Sequence, residues 1–170
     1  MRKIVLILGV LALTFASCGE TKKEETKQVE APKEEVKKPV AEEEVANNDV
    51  VVEATDNMRF NVKRIVVNGG QKVKITLKHT GTMSKDLMGH NLVILKKGVK
   101  MNDFAQRANA AKDNDYIPAD SGNDIVAHTI MIGGGEETVI EFDAPEAGEY
   151  DFLCSFPSHY AIMKGKFIVK

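Results

Sequence analysis

Short runs of apolar and alternating residues, separated by turn residues, fill the chain from Val50 to Lys170. Runs of four to eight residues with glycine and asparagine breaks are typical of β-strands, because a helix needs a longer segment with a 3.6-residue period. The pattern therefore predicts an all-β domain, a Greek-key β-sandwich or barrel. The predicted strands are Val50–Ala54, Phe60–Val67, Val73–His79, His90–Leu95, Ile125–Ile132, Thr138–Asp143, Glu149–Phe156 and Lys164–Val169.

One segment between these strands favours a helix instead. Asn102–Lys112 is rich in good helix formers, and Asn102 or Asp103 is a candidate N-cap. The sequence predicts one short helix on a long connection between two strands.

The N-terminal residues 1–18 have the pattern of an export signal. Arg2 and Lys3 precede an apolar run, Ile4–Ala12, which is too short to span a bilayer well. The run is followed by Ala16-Ser17-Cys18, which resembles the end of a bacterial lipoprotein signal. That resemblance implies a lipid on Cys18 and attachment to a membrane, in the periplasm or at the cell surface. The alternative is an ordinary cleaved signal in which Cys18 has no role.

Residues 19–49 form a charged segment without aromatic residues. Its ten acidic residues outnumber its six lysines, and it lacks the apolar residues needed to offset the entropy lost on ordering. We expect a disordered tether between Cys18 and a folded domain of residues 50–170. That domain carries as many acidic as basic residues, which argues against a nucleic-acid-binding role.

The side chains with the most specific chemistry lie on one loop near the C-terminus. Cys154, His159 and Met163 have the spacing C-x4-H-x3-M, and His90 lies upstream in the sequence MGHN. Two histidines, a cysteine and a methionine are the ligands of trigonal copper sites that transfer electrons. The sequence therefore predicts one copper ion as the cofactor, although cysteine and histidine also suit zinc.

Both motifs, MGHN before one strand and CSFPSHYAIM before the last, resemble those of the azurin family of blue copper proteins. The resemblance covers residues 50–170 and implies a cupredoxin domain with its helix in a connecting flap. It implies Cys154, His90 and His159 as equatorial ligands and Met163 as a weak axial ligand. The backbone carbonyl of Gly89 would make a second weak axial contact.

Other residues take their expected roles from the same resemblance. Asn91 would bridge the two ligand loops, whereas His79 and His128 match histidines that do not bind copper. The chain also departs from typical azurins. It has no cysteine pair for a disulfide if Cys18 is acylated, Ser158 replaces a glycine, and Tyr160 replaces a small residue.

The resemblance also implies a docking surface around His159. An apolar patch of Met58, Met83, Leu87, Met88 and Phe156 would meet redox proteins, either cytochromes or copper enzymes that donate or accept an electron. Some of these residues have core packing as the alternative role.

Three functions fit the loop chemistry to different degrees. An electron carrier uses all four ligands and leaves no open coordination position, so we expect no enzymatic activity. A copper-binding or copper-delivery protein with the same fold is the main alternative. A hydrolase with Cys154 as nucleophile and His159 as base would give Met163 no role.

Overall fold

The computed structural model describes residues 45–170, and residues 1–44, including Cys18, lie outside the described part. Nine strands form most of this part, with two short α-helices and three 3-10 turns. The strands are β1 Asp49–Thr55, β2 Arg59–Phe60, β3 Arg64–Val67, β4 Lys72–His79, β5 Val93–Leu95, β6 Ile125–His128, β7 Glu137–Asp143, β8 Gly148–Leu153 and β9 Lys164–Val169. The helices are α1 Lys85–Met88 and α2 Met101–Asn109, and the 3-10 turns are Lys112–Asn114, Ser121–Asn123 and His159–Ala161.

The strands form two sheets, which confirms the predicted sandwich. One sheet has the order β2-β1-β4-β7 and the other the order β3-β9-β8-β5-β6. The pairs β1–β4 and β3–β9 are parallel, whereas the other paired strands are antiparallel.

The main core lies between the sheets because alternate residues of each strand turn inward. Val73, Ile75 and Leu77 of β4 are fully buried, while Lys72 and Lys78 on the same strand face outward. The same cluster of buried side chains contains Cys154 and Met163. The two sulfur side chains are therefore buried in the interior of the sandwich, although both residues lie on the loop between β8 and β9.

The predicted strand Phe60–Val67 is wrong as a single element. Its first residues lie in β2, which pairs with β1, whereas β3 pairs with β9 in the other sheet. Between them, the Asn61 side-chain oxygen accepts the Glu53 N–H, and the Asn61 N–H bonds the Glu53 carbonyl. This local bonding ends the ladder and lets the chain cross between sheets.

Three other predicted strands are shorter than expected. His90 and Ile132 pair only through an isolated bridge, so β5 begins at Val93 and β6 ends at His128. Strand β8 ends at Leu153, because the next residues turn into the loop that bears Cys154.

The predicted helix exists, but its N-terminus differs. Helix α2 begins at Met101 after Lys100, with no side-chain cap, so neither Asn102 nor Asp103 is the N-cap. Its first turn is held by packing, since Met101 and Phe104 join a second apolar cluster against β5 and β8. Helix α1 was not predicted, because four residues are too few to show a helical period. None of the helices within residues 45–170 has the length and hydropathy of a membrane span.

Candidate metal centre

Three donor atoms from two distant parts of the chain meet at one end of the main core. The Cys154 Sγ lies 3.9 Å from the His90 Nδ1 and 3.7 Å from the His159 Nδ1. All three donor atoms lie within 4.8 Å of one another. Cys154 and His90 are fully buried, and His159 is 3% exposed, so bulk water has little access to the cluster.

The spacing of these atoms suits a metal ion. Metal–sulfur and metal–nitrogen bonds of about 2.3 and 2.0 Å that meet at about 120° need a sulfur–nitrogen separation of about 3.7 Å. The two observed separations, 3.9 and 3.7 Å, are close to this value. The donor set of one thiol and two imidazoles is also the set found in trigonal copper sites.

The loop after β8 is closed by backbone hydrogen bonds between its ends. The Cys154 N–H donates to the Met163 carbonyl at 2.9 Å, and the Met163 N–H donates to the His159 carbonyl at 2.7 Å. Ser158 has φ 68°, a left-handed conformation that glycine adopts more readily than serine. A glycine, the residue that the azurin resemblance implies at this position, would adopt this conformation at lower cost. The turn brings His159 and the fully buried Met163 to the same end of the core as Cys154.

His90 is oriented by the end of β1. Its Nε2 lies 3.0 Å from the Thr55 carbonyl, which can only accept, so Nε2 carries the proton. The lone pair is then on Nδ1, the atom that faces Cys154. Sequence reasoning missed Thr55, because its contribution is a backbone carbonyl that any residue would supply.

Gly89 lies where a side chain has no room. Its carbonyl is 4.0 Å from the Cys154 Sγ. A Cβ at this position would come within 2.5 Å of the Lys85 carbonyl and 3.0 Å of the Met131 side chain. The glycine is needed for close approach and not for its dihedral angles, since its φ of −65° is ordinary.

Asn91 joins the two ligand loops, as predicted. Its Nδ2 donates to the Ser155 Oγ, and its Oδ1 accepts the Ser155 N–H, each at 2.8 Å. Both residues are buried, so these bonds are not exposed to competing water. The residue after His90 is thereby fixed to the residue after Cys154.

Burial also sets the protonation of the donors. Desolvation raises the pKa of Cys154 to about 12 and lowers the pKa of both His90 and His159 to about 4. Near neutral pH the imidazoles are therefore uncharged and ready to bind a metal. The thiol keeps its proton, which a metal ion must displace on binding.

The other two histidines in the described residues lie outside the donor cluster. His79 is buried beside it, with its ring centroid 4.5 Å from that of His90 and its Nε2 3.5 Å from Asp56 Oδ1. His128 is exposed, and its Nδ1 lies 3.1 Å from the Thr129 carbonyl.

The side chains of the predicted apolar patch differ in exposure. Leu87 is 66% exposed and Met83 37% exposed, whereas Met58, Met88 and Phe156 are half-buried. The Phe156 ring lies 4.5 Å from the His159 ring. Ile162, which sequence reasoning missed, is 42% exposed on the ligand loop.

Tyr160 contributes to the packing of the ligand loop. It is half-buried and packs against the second apolar cluster beneath α2. The larger residue at this position therefore adds to the packing of the ligand loop against the flap, the connection of residues 96–124 that contains α2.

Comparisons with known proteins agree with this geometry. The chain is 48% identical over 123 residues to outer membrane protein H.8 of Neisseria meningitidis, covering 71% of this chain and 66% of that protein. The chain thus spans just under two thirds of the length of that relative. It is 44% identical over 121 residues to azurin of Alcaligenes faecalis, covering 69% of this chain and 94% of that protein.

A solved structure and a family sequence profile also match this chain. A crystal structure of reduced auracyanin from Roseiflexus castenholzii matches with a TM-score of 0.67 and 35% identity, covering 74% of this chain and 99% of that one. Residues 46–170 match the sequence profile described as copper binding proteins, plastocyanin/azurin family. The chain therefore belongs to the plastocyanin/azurin family of copper-binding proteins.

Proposed function

We propose that the chain is an azurin-like blue copper protein that carries one electron at a time between redox partners. The observation that carries the proposal is the buried cluster of one thiol and two imidazoles with sulfur–nitrogen separations of 3.7 and 3.9 Å. Cys154, His90 and His159 would hold the ion, with Met163 and the Gly89 carbonyl as weaker ligands. Copper bound there would supply a Cu(II)/Cu(I) couple.

The chain's own contribution is a dry and rigid binding site. Asn91 ties the two ligand loops together, and the Thr55 carbonyl fixes the ring of His90. Donor atoms that are held in place need little rearrangement when the charge of the ion changes. Little rearrangement is the physical requirement for fast electron transfer.

A redox titration of the copper-loaded, full-length chain tests this function. We expect an intense visible band that is bleached by a reductant and restored by an oxidant, with one electron taken up per chain. A copper-delivery protein, the alternative, would lose its copper to an acceptor chelator in the reduced state. Loss of copper on reduction would favour that alternative.

We propose a carrier rather than an enzyme. Four side chains and a backbone carbonyl would hold the proposed ion and would leave no position for a substrate. The structural support is the burial of these groups, because Cys154, His90 and Met163 are fully buried.

We propose that redox proteins dock on the apolar patch formed by Met58, Met83, Leu87, Met88 and Phe156. Phe156 touches the ring of His159, so a partner on this patch would lie close to the copper ligand. A cytochrome or a copper enzyme fits this surface, because transient redox encounters use small interfaces. No nucleic-acid partner is proposed.

Replacing Leu87 by lysine should slow electron self-exchange between copper-loaded chains about tenfold, because docking of one patch on another would have to remove water from the lysine ammonium groups. The rate can be measured from NMR line widths at about 1 M salt, where charges are screened beyond about 3 Å. Val139→Lys is the matched control, since Val139 is 48% exposed and lies on β7. Equal slowing in both variants would contradict docking on the patch.

We also propose that the protein is exported and held at a membrane by a lipid on Cys18. The support is the signal-like N-terminus and the similarity to a relative named as an outer membrane protein. A flexible tether of about thirty residues would let the copper domain range over about 30 Å. Confinement to this distance raises the effective concentration at membrane-bound partners.

The Cys18→Ser chain should move from the membrane fraction to the soluble fraction, because serine cannot take the thioether-linked lipid. Immunoblots of fractionated cells measure the distribution. Cys154→Ser is the matched control and should stay with the membrane. A Cys18→Ser chain that remains with the membrane would rule out this anchor.

A further inference from the structure

After helix α2, the flap contains two consecutive left-handed residues that are not glycine. Asp115 has φ 51° and ψ 32°, and Tyr116 has φ 58°. Such residues cost of order 1–3 kcal/mol each, and they persist where surrounding contacts hold them in place. The contacts made by this pair indicate what holds it.

Asp115 contacts three residues that lie in the segments around His90. Its backbone carbonyl accepts a hydrogen bond from the Asn91 Nδ2 at 3.2 Å. Its carboxylate accepts the Met131 N–H at 3.1 Å and pairs with the Lys85 ammonium at 2.7 Å. Lys85 and Met131 are also the two residues that crowd Gly89.

Tyr116 extends the same junction to the other ligand loop. Its ring lies 5.2 Å from that of Phe156 in an edge-to-face arrangement, and Phe156 lies 4.5 Å from His159. Asp115 thus contacts the residues around His90, and Tyr116 contacts the loop that bears His159.

We propose that Asp115 is a positioning residue that joins the flap to the residues around His90, and through Asn91 to the loop that bears Cys154, and so keeps the metal donors at their spacing. The inference deepens the proposed function and rests on it. Asp115 touches none of the metal donors; it acts through Asn91, Met131 and Lys85. The flap thereby becomes part of the metal site, although it contributes no ligand.

The test compares the affinity of full-length chains for Zn(II), a redox-silent probe. Asp115→Gly keeps a residue that tolerates φ above zero but removes the carboxylate. We expect its affinity to fall about tenfold, the lower end of the loss found when a partner of a metal ligand is removed. In the metal-free chain, the Met131 and Ser155 amide hydrogens should exchange faster than in the unsubstituted chain.

Two further variants separate positioning from general stability. Asp115→Asn should restore the affinity, because asparagine tolerates the left-handed conformation and its oxygen can accept the Met131 N–H. Asp120→Gly should leave the affinity unchanged, since Asp120 pairs with Arg107 on the same flap but is largely exposed. Equal affinities of Asp115→Gly and Asp120→Gly would overturn the proposal. Failure of the unsubstituted chain to bind Zn(II) would instead count against the metal site itself.

Discussion

Replacing Cys154 by alanine should abolish the intense visible absorption of the copper-loaded chain. A copper–thiolate bond is the source of that absorption, and Cys154 is the only cysteine among residues 45–170. Copper affinity should also fall, by more than the about 10–100-fold that follows loss of a partner of a ligand. His90, His159 and Met163 would remain as a weaker set.

The loss should come from the missing ligand and not from unfolding. Removal of one buried sulfur atom leaves a small cavity, which we expect to cost about 1 kcal/mol in the metal-free chain. Thermal unfolding of the metal-free protein measures this loss of stability directly. Cys18→Ser is the matched control, because it removes the other cysteine of the chain and should leave the band unchanged. A band that survives in Cys154→Ala would exclude the proposed site.

Much of the fold was predictable because the two sides of each strand differ in polarity. The alternation in β4 marks Val73, Ile75 and Leu77 as core, and the structure buries all three. The crossing at Asn61 was not predictable, because the apolar pattern continues through it. The Asn61 bonds that end the ladder become visible only when β1 lies beside this segment.

The donor set was predictable because its residue types are rare in combination and three of the four lie on one loop. The predicted azurin resemblance and the copper cofactor are confirmed by the family match. Thr55 and Asp115 were not predictable as parts of the site. Thr55 acts through a backbone carbonyl, and the Asp115 carboxylate reaches Met131 and Lys85 from a left-handed turn. Neither contact is indicated by the residues that neighbour Thr55 or Asp115 in the sequence.

Replacing Gly89 by alanine should destabilise the domain by about 1–3 kcal/mol, the cost of forcing extra atoms into a packed interior. The new Cβ would lie 2.5 Å from the Lys85 carbonyl, an atom of the backbone that cannot rotate away. Relief would require α1 to move away from Gly89. Such a movement would shift the Gly89 carbonyl and the adjacent His90, so Zn(II) affinity should fall together with stability.

Gly122→Ala separates this steric effect from the general effect of adding a methyl group. A Cβ at Gly122 has no atom within 4 Å and its backbone is not left-handed, so we expect a change of less than about 0.5 kcal/mol. Chemical denaturation with and without Zn(II) measures both variants. If Gly89→Ala were as stable as Gly122→Ala and bound Zn(II) equally well, Gly89 would be an ordinary turn glycine. If stability fell and affinity did not, α1 would be able to move without disturbing His90, and the close approach of Gly89 would serve packing alone.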